Sequence, residues 1–288
     1  MLQDLAFGRL ENEYLPEVPR GEDAVVCIRE RDILLSRDAD GRLGFPEVAQ
    51  VMAWAEEKGW DSWGGEVLRY VFRLQGRRYF LWMGTAGDCP EEGFSWENAR
   101  MLRQAESMEA CYGAMTAWHI YNWYRVNRFC GNCGGKTVHD EKERMVRCPA
   151  CGNMIFPRIS PAVIVAVTNG DRLLLSKYAG RGFTRYALLA GYTEIGETME
   201  QTVQREVMEE VGLKVKNIRY YKSQPWGIDG NVLMGFYCDL DGSDQICLDE
   251  QELAMADWFP RGEIPAKDDG FTLTREMIRV FDEGKEPK

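Results

Sequence analysis

The segment that most constrains the fold of this chain is residues 191–213, which read GYTEIGETMEQTVQREVMEEVGL. Three valines in it recur every four residues and form one apolar stripe: Val203, Val207 and Val211. This spacing is typical of an amphipathic helix that packs one face on a core. Thr198, with Gln201 three residues later, matches a capping box, and Gly212 suits the left-handed residue that follows a helix. The sequence therefore predicts a helix between Thr198 and Gly212.

Glutamates are concentrated within one turn of this helix: Glu206, Glu209 and Glu210. Like charges at these spacings repel one another, so the arrangement requires a compensating positive charge. A hard divalent cation, Mg²⁺ or Mn²⁺, binds carboxylate oxygens and also bridges phosphate oxygens, which suits phosphoryl chemistry. Arg205 is expected to orient a carboxylate of the cluster, either Glu197 or Glu209.

The alternative interpretation of these acids is a solvated helix face, which is what most glutamate-rich faces are. That interpretation does not explain why Gly191, Glu197 and Arg205 stand at fixed offsets from the acids. We therefore predict a catalytic set that consists of Glu197, Arg205, Glu206, Glu209 and Glu210.

Two CxxC pairs separated by fourteen residues lie upstream of the helix: Cys130 with Cys133, and Cys148 with Cys151. Four thiolates at this spacing can close a tetrahedral Zn²⁺ site with no open position, so we expect one structural zinc per chain. Two disulfides are the alternative. The remaining cysteines show no pairing pattern and are expected to be free thiols in a reducing compartment: Cys27, Cys89, Cys111, Cys238 and Cys247.

The composition limits which partners are expected. No apolar run in the 288 residues is long enough to span a bilayer, and the N-terminus lacks the features of a signal peptide, so we expect a cytoplasmic protein with no membrane partner. The formal net charge of −11 argues against broad electrostatic binding to nucleic acid, which depends on Lys and Arg. A small anionic substrate would therefore be bound locally, by metal ions and a few basic residues.

Four regions are predicted from the length and the order of motifs: an N-terminal β-rich domain over 1–94, a helical linker over 95–127, a zinc ribbon over 128–157 and a hydrolase domain over 158–288. The linker is expected to be helical from Ser95 to about Tyr124, because this stretch lacks Pro and has small apolar residues at helical intervals. Asn169-Gly170 predicts a type I′ hairpin turn. After the ribbon, the order strand, strand, strand, helix, strands, helix predicts an α+β domain with a mixed sheet between helices.

Residues 191–213 match the Nudix box at every fixed position, which is the signature of hydrolases that cut a nucleoside diphosphate linked to another group. Ser223-Gln224-Pro225-Trp226 follows about ten residues later. Together with the four-Cys ribbon, these features resemble the bacterial NADH pyrophosphatases, also described as NAD-cap-removing enzymes. The resemblance covers most of residues 118–288. It implies the Nudix α/β/α sandwich, hydrolysis of NADH or NAD to AMP and nicotinamide mononucleotide, action on the NAD-capped 5′ end of RNA, and a homodimer whose sites share residues.

Further site residues follow only from this resemblance. It implies that the carbonyl of Ala190 and the carboxylate of Glu252 join Glu206, Glu209 and Glu210 as ligands of the catalytic Mg²⁺ or Mn²⁺. Tyr192 stands where the family usually has Phe, and its ring could stack on a base or on nicotinamide. Phe156 resembles an aromatic side chain donated across the dimer, and Glu143 resembles a ribbon residue that contacts substrate.

One segment departs from the family pattern. The family signature continues after the tryptophan as Pro-Phe-Pro, any residue, Ser, whereas this chain has Gly-Ile-Asp-Gly-Asn over residues 227–231. The loss of two prolines predicts a more mobile loop, and the aspartate makes it more acidic. The sequence therefore defines the bond that is cut better than it defines which dinucleotide is preferred. The substrate contacts expected from this region are Gln224, Pro225, Trp226, Gly227, Ile228, Asp229, Gly230 and Asn231. Trp226 has an alternative interpretation as a core or lid residue.

Two other kinds of function fit parts of the pattern. ADP-ribose and dinucleoside polyphosphates are alternative substrates for the same chemistry. A catalytically inactive zinc-ribbon protein that binds nucleic acid is a different class, and the intact acidic set and the negative net charge count against it. His119 and His139, the two histidines, fit no general-base pattern and are interpreted as structural.

Overall fold

The computed structural model describes residues 1–4, 9–15, 17–63, 66–89, 91–99, 102, 107–180, 185–266 and 269–288. The chain divides into two compact units. The hydrolase unit consists of Met1, Ile159–Trp226 and Asn231–Lys288, and the N-terminal unit consists of Leu2–Arg158 and Gly227–Gly230.

The N-terminal unit begins with a β-rich region, as the sequence predicts. Its described elements are β1 (Leu10–Glu11), β2 (Ala24–Val26), β3 (Ile28–Arg29), β4 (Asp32–Arg37), β5 (Leu43–Gly44), α1 (Val48–Lys58), β6 (Asp61–Ser62), β7 (Leu68–Leu74), β8 (Arg77–Trp82), β9 (Gly84–Thr85), β10 (Phe94–Asn98) and α2 (Met108–Val126). One sheet has the order β1-β7-β8-β2, another has the order β10-β4-β3 with β5 on β4, and β6 pairs with β9. Core residues from both larger sheets, among them Val25, Leu34 and Trp82, pack against α1.

The helical linker starts later than the sequence indicates. Ser95 lies in β10, which pairs antiparallel with β4, so the expectation of a helix from Ser95 is wrong. Phe94 and Trp96 alternate with polar residues and pack on the core, which favours a strand. Helix α2 begins after Ser107, whose side chain accepts a hydrogen bond from the Ala110 amide. Residues 100, 101 and 103–106 of the expected helix lie outside the described residues.

The ribbon forms a small three-stranded antiparallel sheet of β11 (Val138–His139), β12 (Val146–Arg147) and β13 (Met154–Ile155). Each strand has only two residues, so strand pairing alone gives this sheet little stability. Arg144, between β11 and β12, donates hydrogen bonds to the carbonyls of Asn12 and Val71 at 3.0 and 2.6 Å. These bonds attach the ribbon to the β-rich region of the same unit.

The hydrolase unit contains β14 (Ser160–Asn169), β15 (Arg172–Tyr178), β16 (Leu189–Tyr192), α3 (Met199–Val211), β17 (Val215–Trp226), β18 (Asn231–Leu240), β19 (Leu253–Pro260) and α4 (Leu273–Asp282). Its sheet has the order β17-β18-β14-β15-β19, with β16 also paired to β14. The pair β14–β18 is parallel and the others are antiparallel. The predicted mixed sheet is therefore confirmed.

The two faces of this sheet carry separate hydrophobic cores. Because side chains alternate along a strand, Val163 and Val165 of β14 pack on one face while Ile164 and Ala166 pack on the other. The first face is covered by the valine stripe of α3, and the second by α4. This arrangement is the predicted α/β/α sandwich. Within the described residues, no helix combines the length and apolar character needed to cross a membrane.

Candidate functional site

The ends of α3 are fixed as the capping pattern predicts. Thr198 Oγ1 accepts a hydrogen bond from the Gln201 amide at 3.3 Å, and Gln201 Oε1 accepts one from the Thr198 amide at 2.8 Å. At the other end, Gly212 has φ +68° and its N–H donates to the carbonyl of Met208. The helix register is therefore set at both ends, and the valine stripe faces the sheet.

Arg205 is the centre of the candidate active site. Its Nε and Nη2 donate to the two carboxylate oxygens of Glu197 at 2.6 and 3.0 Å, which is a bidentate pair. Thr202 Oγ1 and the Glu194 amide also donate to this carboxylate. Arg205, followed by these other donors, lowers the pKa of Glu197 to about 2. Glu197 is therefore a fixed anion that holds Arg205 in place.

The same guanidinium reaches the other acids. Nη1 donates to Glu206 Oε1 at 2.8 Å and to Glu209 Oε2 at 2.9 Å, and Nη2 donates to the carbonyl of Tyr192 at 2.8 Å. The sequence suggested one partner carboxylate for Arg205, either Glu197 or Glu209. The structure gives it both, and Glu206 as well.

Two of the acids that were predicted to be catalytic are more buried than the sequence suggested. Glu206 is 8% exposed and Glu210 only 2%, whereas Glu209 is exposed. Burial raises the pKa of Glu206; Arg205 opposes this shift, and the charges of Glu209 and Glu252 add to it. Burial of like charges is costly, so this cluster strongly favours a bound cation.

Gly191 explains how Glu206 is accommodated. A Cβ atom at position 191 would lie 1.9 Å from the Glu206 carboxyl carbon, so only glycine leaves room for this carboxylate. Gly191 lies in β16 and pairs with Val163 of β14, which faces α3. The first residue of the sequence pattern therefore provides the space that the acidic helix needs.

The oxygen atoms available around Glu206 are ligands that suit a hard divalent cation. Carboxylate oxygens are the ligands that Mg²⁺ and Mn²⁺ prefer. Glu252 is exposed just before β19, and its charge acts on Glu206. Ala190 precedes Gly191 in β16. Among the described residues, however, the ribbon cysteines are the one group of metal-binding side chains whose ligand atoms all lie within 4.8 Å of one another.

The predicted substrate residues of the hydrolase unit differ in accessibility. Tyr192 is 50% exposed, and Pro225 is exposed as well. Gln224 is completely buried: its Nε2 donates to the Phe271 carbonyl at 2.9 Å, and its Oε1 accepts from the Leu273 amide at 2.8 Å. Trp226 is also buried, with its ring edge-on to Phe271. In this structure Gln224 and Trp226 support the start of α4, which agrees with the core interpretation of Trp226.

The loop that departs from the family pattern is a tight turn. The Gly230 amide donates to the Gly227 carbonyl at 3.3 Å, and Trp118 Nε1 of α2 donates to the Ile228 carbonyl at 3.2 Å. A Cβ atom at Gly227 would lie 2.2 Å from the Met115 carbonyl oxygen, so α2 approaches too closely for any other residue. The turn is thus held on α2 within the N-terminal unit, whereas its composition suggested a mobile loop. Asp229 is exposed on it.

The ribbon residues belong to the N-terminal unit. Glu143 is exposed in the turn after β11, where its amide donates to Asp140 Oδ1 at 3.0 Å. Phe156 is 52% exposed just after β13. Both side chains are therefore accessible on the ribbon.

The four ribbon cysteines converge with free thiols. Cys130 Sγ lies 3.7 Å from Cys151 Sγ, and Cys133 Sγ lies 3.4 Å from Cys148 Sγ, which is too far for disulfides and close enough to share one metal ion. Hydrogen bonds from the Asn132 amide and the Asn153 side chain lower the pKa of Cys130 to about 6. The set fits a closed, structural zinc site.

One contributor to the site was not found from the sequence. Thr202 is fully buried and its hydroxyl donates to Glu197 Oε2 at 2.9 Å. Its position beside the valine stripe, one residue before Val203, could have indicated a buried hydroxyl. The pattern of charged residues gave no signal for it.

Comparison with known proteins identifies two domains. The family model described as NUDIX domain matches residues 158–281, and the one described as NADH pyrophosphatase zinc ribbon domain matches residues 125–156.

Curated relatives match over most of the chain. A Pseudomonas aeruginosa protein named NAD-capped RNA hydrolase NudC is 40% identical over 247 residues, which cover 84% of this chain and 84% of the relative. A Haemophilus influenzae protein of the same name is 37% identical over 213 residues, which cover 71% of this chain and 77% of the relative. A solved NUDIX hydrolase from Nitrosomonas europaea is 26% identical, covers 55% of this chain and 91% of its own, and superposes with a TM-score of 0.47.

Proposed function

The chain belongs to the zinc-ribbon-containing NADH pyrophosphatase family of Nudix hydrolases, and from this premise we infer that it hydrolyses the pyrophosphate bond of NADH and NAD. The products are AMP and nicotinamide mononucleotide, which is in its reduced form when NADH is the substrate. Removal of an NAD cap from RNA breaks the same bond, with RNA attached to the adenosine half. The observation that carries this conclusion is the carboxylate set joined by Arg205, because Gly191 makes room for it and it suits a cation bound to pyrophosphate.

The catalytic cations are proposed to be Mg²⁺ or Mn²⁺, held by Ala190 O, Glu206, Glu209, Glu210 and Glu252. When bound, they neutralise the pyrophosphate and lower the pKa of a water molecule. Glu197 keeps Arg205 in position, and Arg205 in turn orients Glu206 and Glu209. One carboxylate of the set takes the proton as water attacks phosphorus.

The proposed substrate contacts are the accessible residues among those that the resemblance implies. Tyr192 offers a half-exposed ring to a planar base, and Glu143, Phe156, Pro225 and the turn Gly227–Gly230 are the other proposed contacts. Gln224 and Trp226 keep a supporting role in this proposal, because their side chains are buried beside Phe271.

A homodimer is proposed, with Phe156 donated to the partner's site. Exposed apolar side chains on and beside the ribbon support it: Phe129, Met154, Phe156 and Ile159. Light scattering should give twice the mass of one chain. Phe156→Ala should raise KM for NADH, because a stacking partner is lost, and an unchanged KM would contradict the shared site.

A cytoplasmic location is proposed from the sequence, and the thiols support it. Cys27, Cys111 and Cys238 are buried and free, and burial raises the pKa of each thiol. Buried neutral thiols are compatible with a reducing compartment.

The direct test is Glu210→Gln, assayed with NADH and Mn²⁺. Loss of one buried carboxylate should lower kcat by roughly 10²- to 10⁴-fold, because charge neutralisation carries most of the rate acceleration. The matched control is Glu200→Gln, an exposed glutamate in the first turn of the same helix, which should keep normal turnover. Near-normal turnover of a folded Glu210→Gln variant would contradict the assignment.

Substrate choice is a separate measurement. NADH, NAD, ADP-ribose, diadenosine polyphosphates and NAD-capped RNA should be compared as substrates, with products identified by mass. We expect kcat/KM to be higher for NADH, NAD and the capped RNA than for ADP-ribose and diadenosine polyphosphates. A preference for either of the last two would assign this protein a different substrate for the same hydrolysis.

A further inference from the structure

The zinc ribbon contains two CxxC turns, residues 130–133 and residues 148–151, which are called the first and the second turn below. Each turn is closed by a backbone hydrogen bond from the glycine that follows it to the carbonyl of its first cysteine, at 2.8 and 2.9 Å. Each turn supplies two of the four thiols. A closed zinc site requires that the two turns stay together, because neither has enough ligands alone.

Two asparagine side chains cross from one turn to the other. Asn132 lies inside the first turn, and its Nδ2 donates a hydrogen bond to Cys151 Sγ of the second turn at 3.6 Å. Asn153 follows the second turn, and its Nδ2 donates to Cys130 Sγ of the first turn at 3.5 Å. Bonds to sulfur are longer than bonds to oxygen because the sulfur atom is larger. The two cross-links are therefore reciprocal.

The backbone fixes both asparagines for this arrangement. The Asn132 amide donates to Cys130 Sγ at 3.4 Å, which ties this residue to its own turn. The Asn153 carbonyl accepts a hydrogen bond from the Cys148 amide at 2.9 Å, which ties it to the second turn. Each side chain therefore extends from a fixed backbone to a sulfur atom of the opposite turn.

These hydrogen bonds become stronger when the sulfur atoms carry charge. Cysteine binds zinc as the thiolate, and four thiolates around one divalent ion leave an excess of negative charge. An N–H that donates to a thiolate forms a charge-assisted hydrogen bond, which is stronger than a bond between neutral groups. Groups that orient metal ligands in this way commonly change metal affinity by about 10- to 100-fold.

We propose that Asn132 and Asn153 are positioning residues of the zinc site, which hold the thiolates of Cys151 and Cys130 and strengthen zinc binding. This inference concerns the metal site of the N-terminal unit and is independent of the proposed hydrolysis. Loss of one asparagine leaves the other cross-link in place, whereas loss of both leaves the turns joined only by the metal and the short strands. The double variant is therefore expected to have the largest effect.

Zinc affinity of the full-length protein tests the proposal. In competition with a chromogenic chelator, Asn132→Ala and Asn153→Ala should each bind zinc about tenfold more weakly than wild type, and the double variant about 100-fold more weakly. The matched control is Asn122→Ala in α2, because Asn122 Nδ2 donates to the Trp118 carbonyl at 3.1 Å rather than to sulfur. It should keep wild-type affinity. An affinity of the double variant within about twofold of wild type would overturn the proposal.

A spectroscopic measurement distinguishes a hydrogen-bond donor from a residue that only shapes the turn. Co²⁺ in place of Zn²⁺ gives a thiolate-to-metal charge-transfer band, and its energy is higher when a hydrogen bond stabilises the sulfur electrons. In the cobalt-loaded protein, Asn132→Ala and Asn153→Ala should shift this band to longer wavelength, and Asn122→Ala should leave it unchanged.

Asn153→Asp gives a second check, since it keeps the size of the side chain but removes the N–H donor. It should shift the band in the same direction as Asn153→Ala and also weaken zinc binding. Wild-type band position in all of the Asn132 and Asn153 variants would overturn the proposal, even if their zinc affinity is lower, because the asparagines would then act only on the shape of the turns.

Discussion

At the scale of single residues, the site depends on how little space surrounds Glu206. Its carboxylate occupies the position that a Cβ atom at residue 191 would need, and Arg205 Nη1 donates a hydrogen bond to it at 2.8 Å. The backbone of β16 and the guanidinium together restrict where this buried acid can lie. A change that adds one methyl group there should therefore affect catalysis more than folding.

We expect Gly191→Ala to lower kcat for NADH by about 100-fold or more, because the new Cβ atom displaces the Glu206 carboxylate. Steady-state kinetics and thermal melting measure the two effects separately. Gly21→Ala is the control, since its Cβ atom would make only an ordinary contact, at 3.7 Å, with Ala49. Full activity in Gly191→Ala would show that Glu206 can act from another position.

His139 illustrates a residue whose charge state contributes to stability. Burial, with the nearby positive charge of Arg69, lowers the pKa of His139 to about 4. The ordinary pKa is 6.5, so between pH 6.5 and 4 the unfolded chain binds a proton that the folded chain does not. The free energy of unfolding should therefore fall as pH decreases through this window and lose nothing further from this residue below pH 4.

The size of this loss is at most about 3 kcal/mol, from 1.36 kcal/mol per pKa unit. Glu66 Oε2, 3.3 Å from Nε2, reduces it because it favours the charged ring. Between pH 7 and pH 4.5, we expect the free energy of unfolding, measured by urea denaturation, to fall by about 2 kcal/mol less in His139→Gln than in wild type. Parallel pH profiles for the two proteins would contradict the lowered pKa.

At the scale of elements, the predictions that succeeded are those that rest on short-range sequence patterns. Helix α3 was predicted well because Thr198, Gln201 and Gly212 fix its ends through backbone hydrogen bonds, which are short-range. The ribbon was predicted for a similar reason, since CxxC spacing fixes ligand geometry locally. The depth at which Glu206 and Glu210 lie was not predicted, because it depends on a strand that is distant in space until the chain folds.

The errors have the same physical origin. Residues 95–98 were expected to be helical, but β10 forms through pairing with β4, some sixty residues earlier in the chain. At the β14–β15 hairpin, the turn is centred on Gly170 and Asp171, and only Gly170 has positive φ, which differs from the predicted type I′ turn at Asn169-Gly170. Burial of Gln224 at the start of α4 likewise required the tertiary structure.

The ribbon depends on zinc more than on its own sheet. We expect Cys148→Ser to lower the zinc content from one ion per chain to near zero, because one of the four ligands is lost. The ribbon should then unfold, since its strands have only two residues each. Elemental analysis measures the loss, and limited proteolysis should then cut within residues 128–157. Cys247→Ser, which changes an exposed cysteine outside the ribbon, should retain zinc and resist the protease. Retained zinc in Cys148→Ser would contradict the four-ligand site.

At the scale of the whole molecule, the net charge of −11 limits how the protein can bind RNA. A chain with this charge gains little from contacts along a phosphate backbone, so the cap and the nucleotides beside it should supply nearly all of the recognition. We therefore expect the pyrophosphate to be attracted locally, by cations proposed to bind at the carboxylates and by a few basic residues.

We therefore expect kcat/KM for NAD-capped RNA to change by less than about threefold between short and long transcripts, and to depend weakly on salt. Decapping assays across RNA length and from low to physiological salt measure both trends. Uncapped RNA of the same sequence is the control and should not compete. A steep fall of activity with salt would reveal an extended basic contact.

The turn Gly227–Gly230 belongs to the N-terminal unit, although both strands that flank it belong to the hydrolase unit. Only glycine fits at position 227, because the carbonyl of Met115 in α2 leaves no room for a side chain. The two units are therefore interleaved in sequence, and a single crossover between relatives cannot exchange one of them intact. A chimera that takes residues 1–158 from another protein must take its turn as well, so these two stretches are expected to be inherited together.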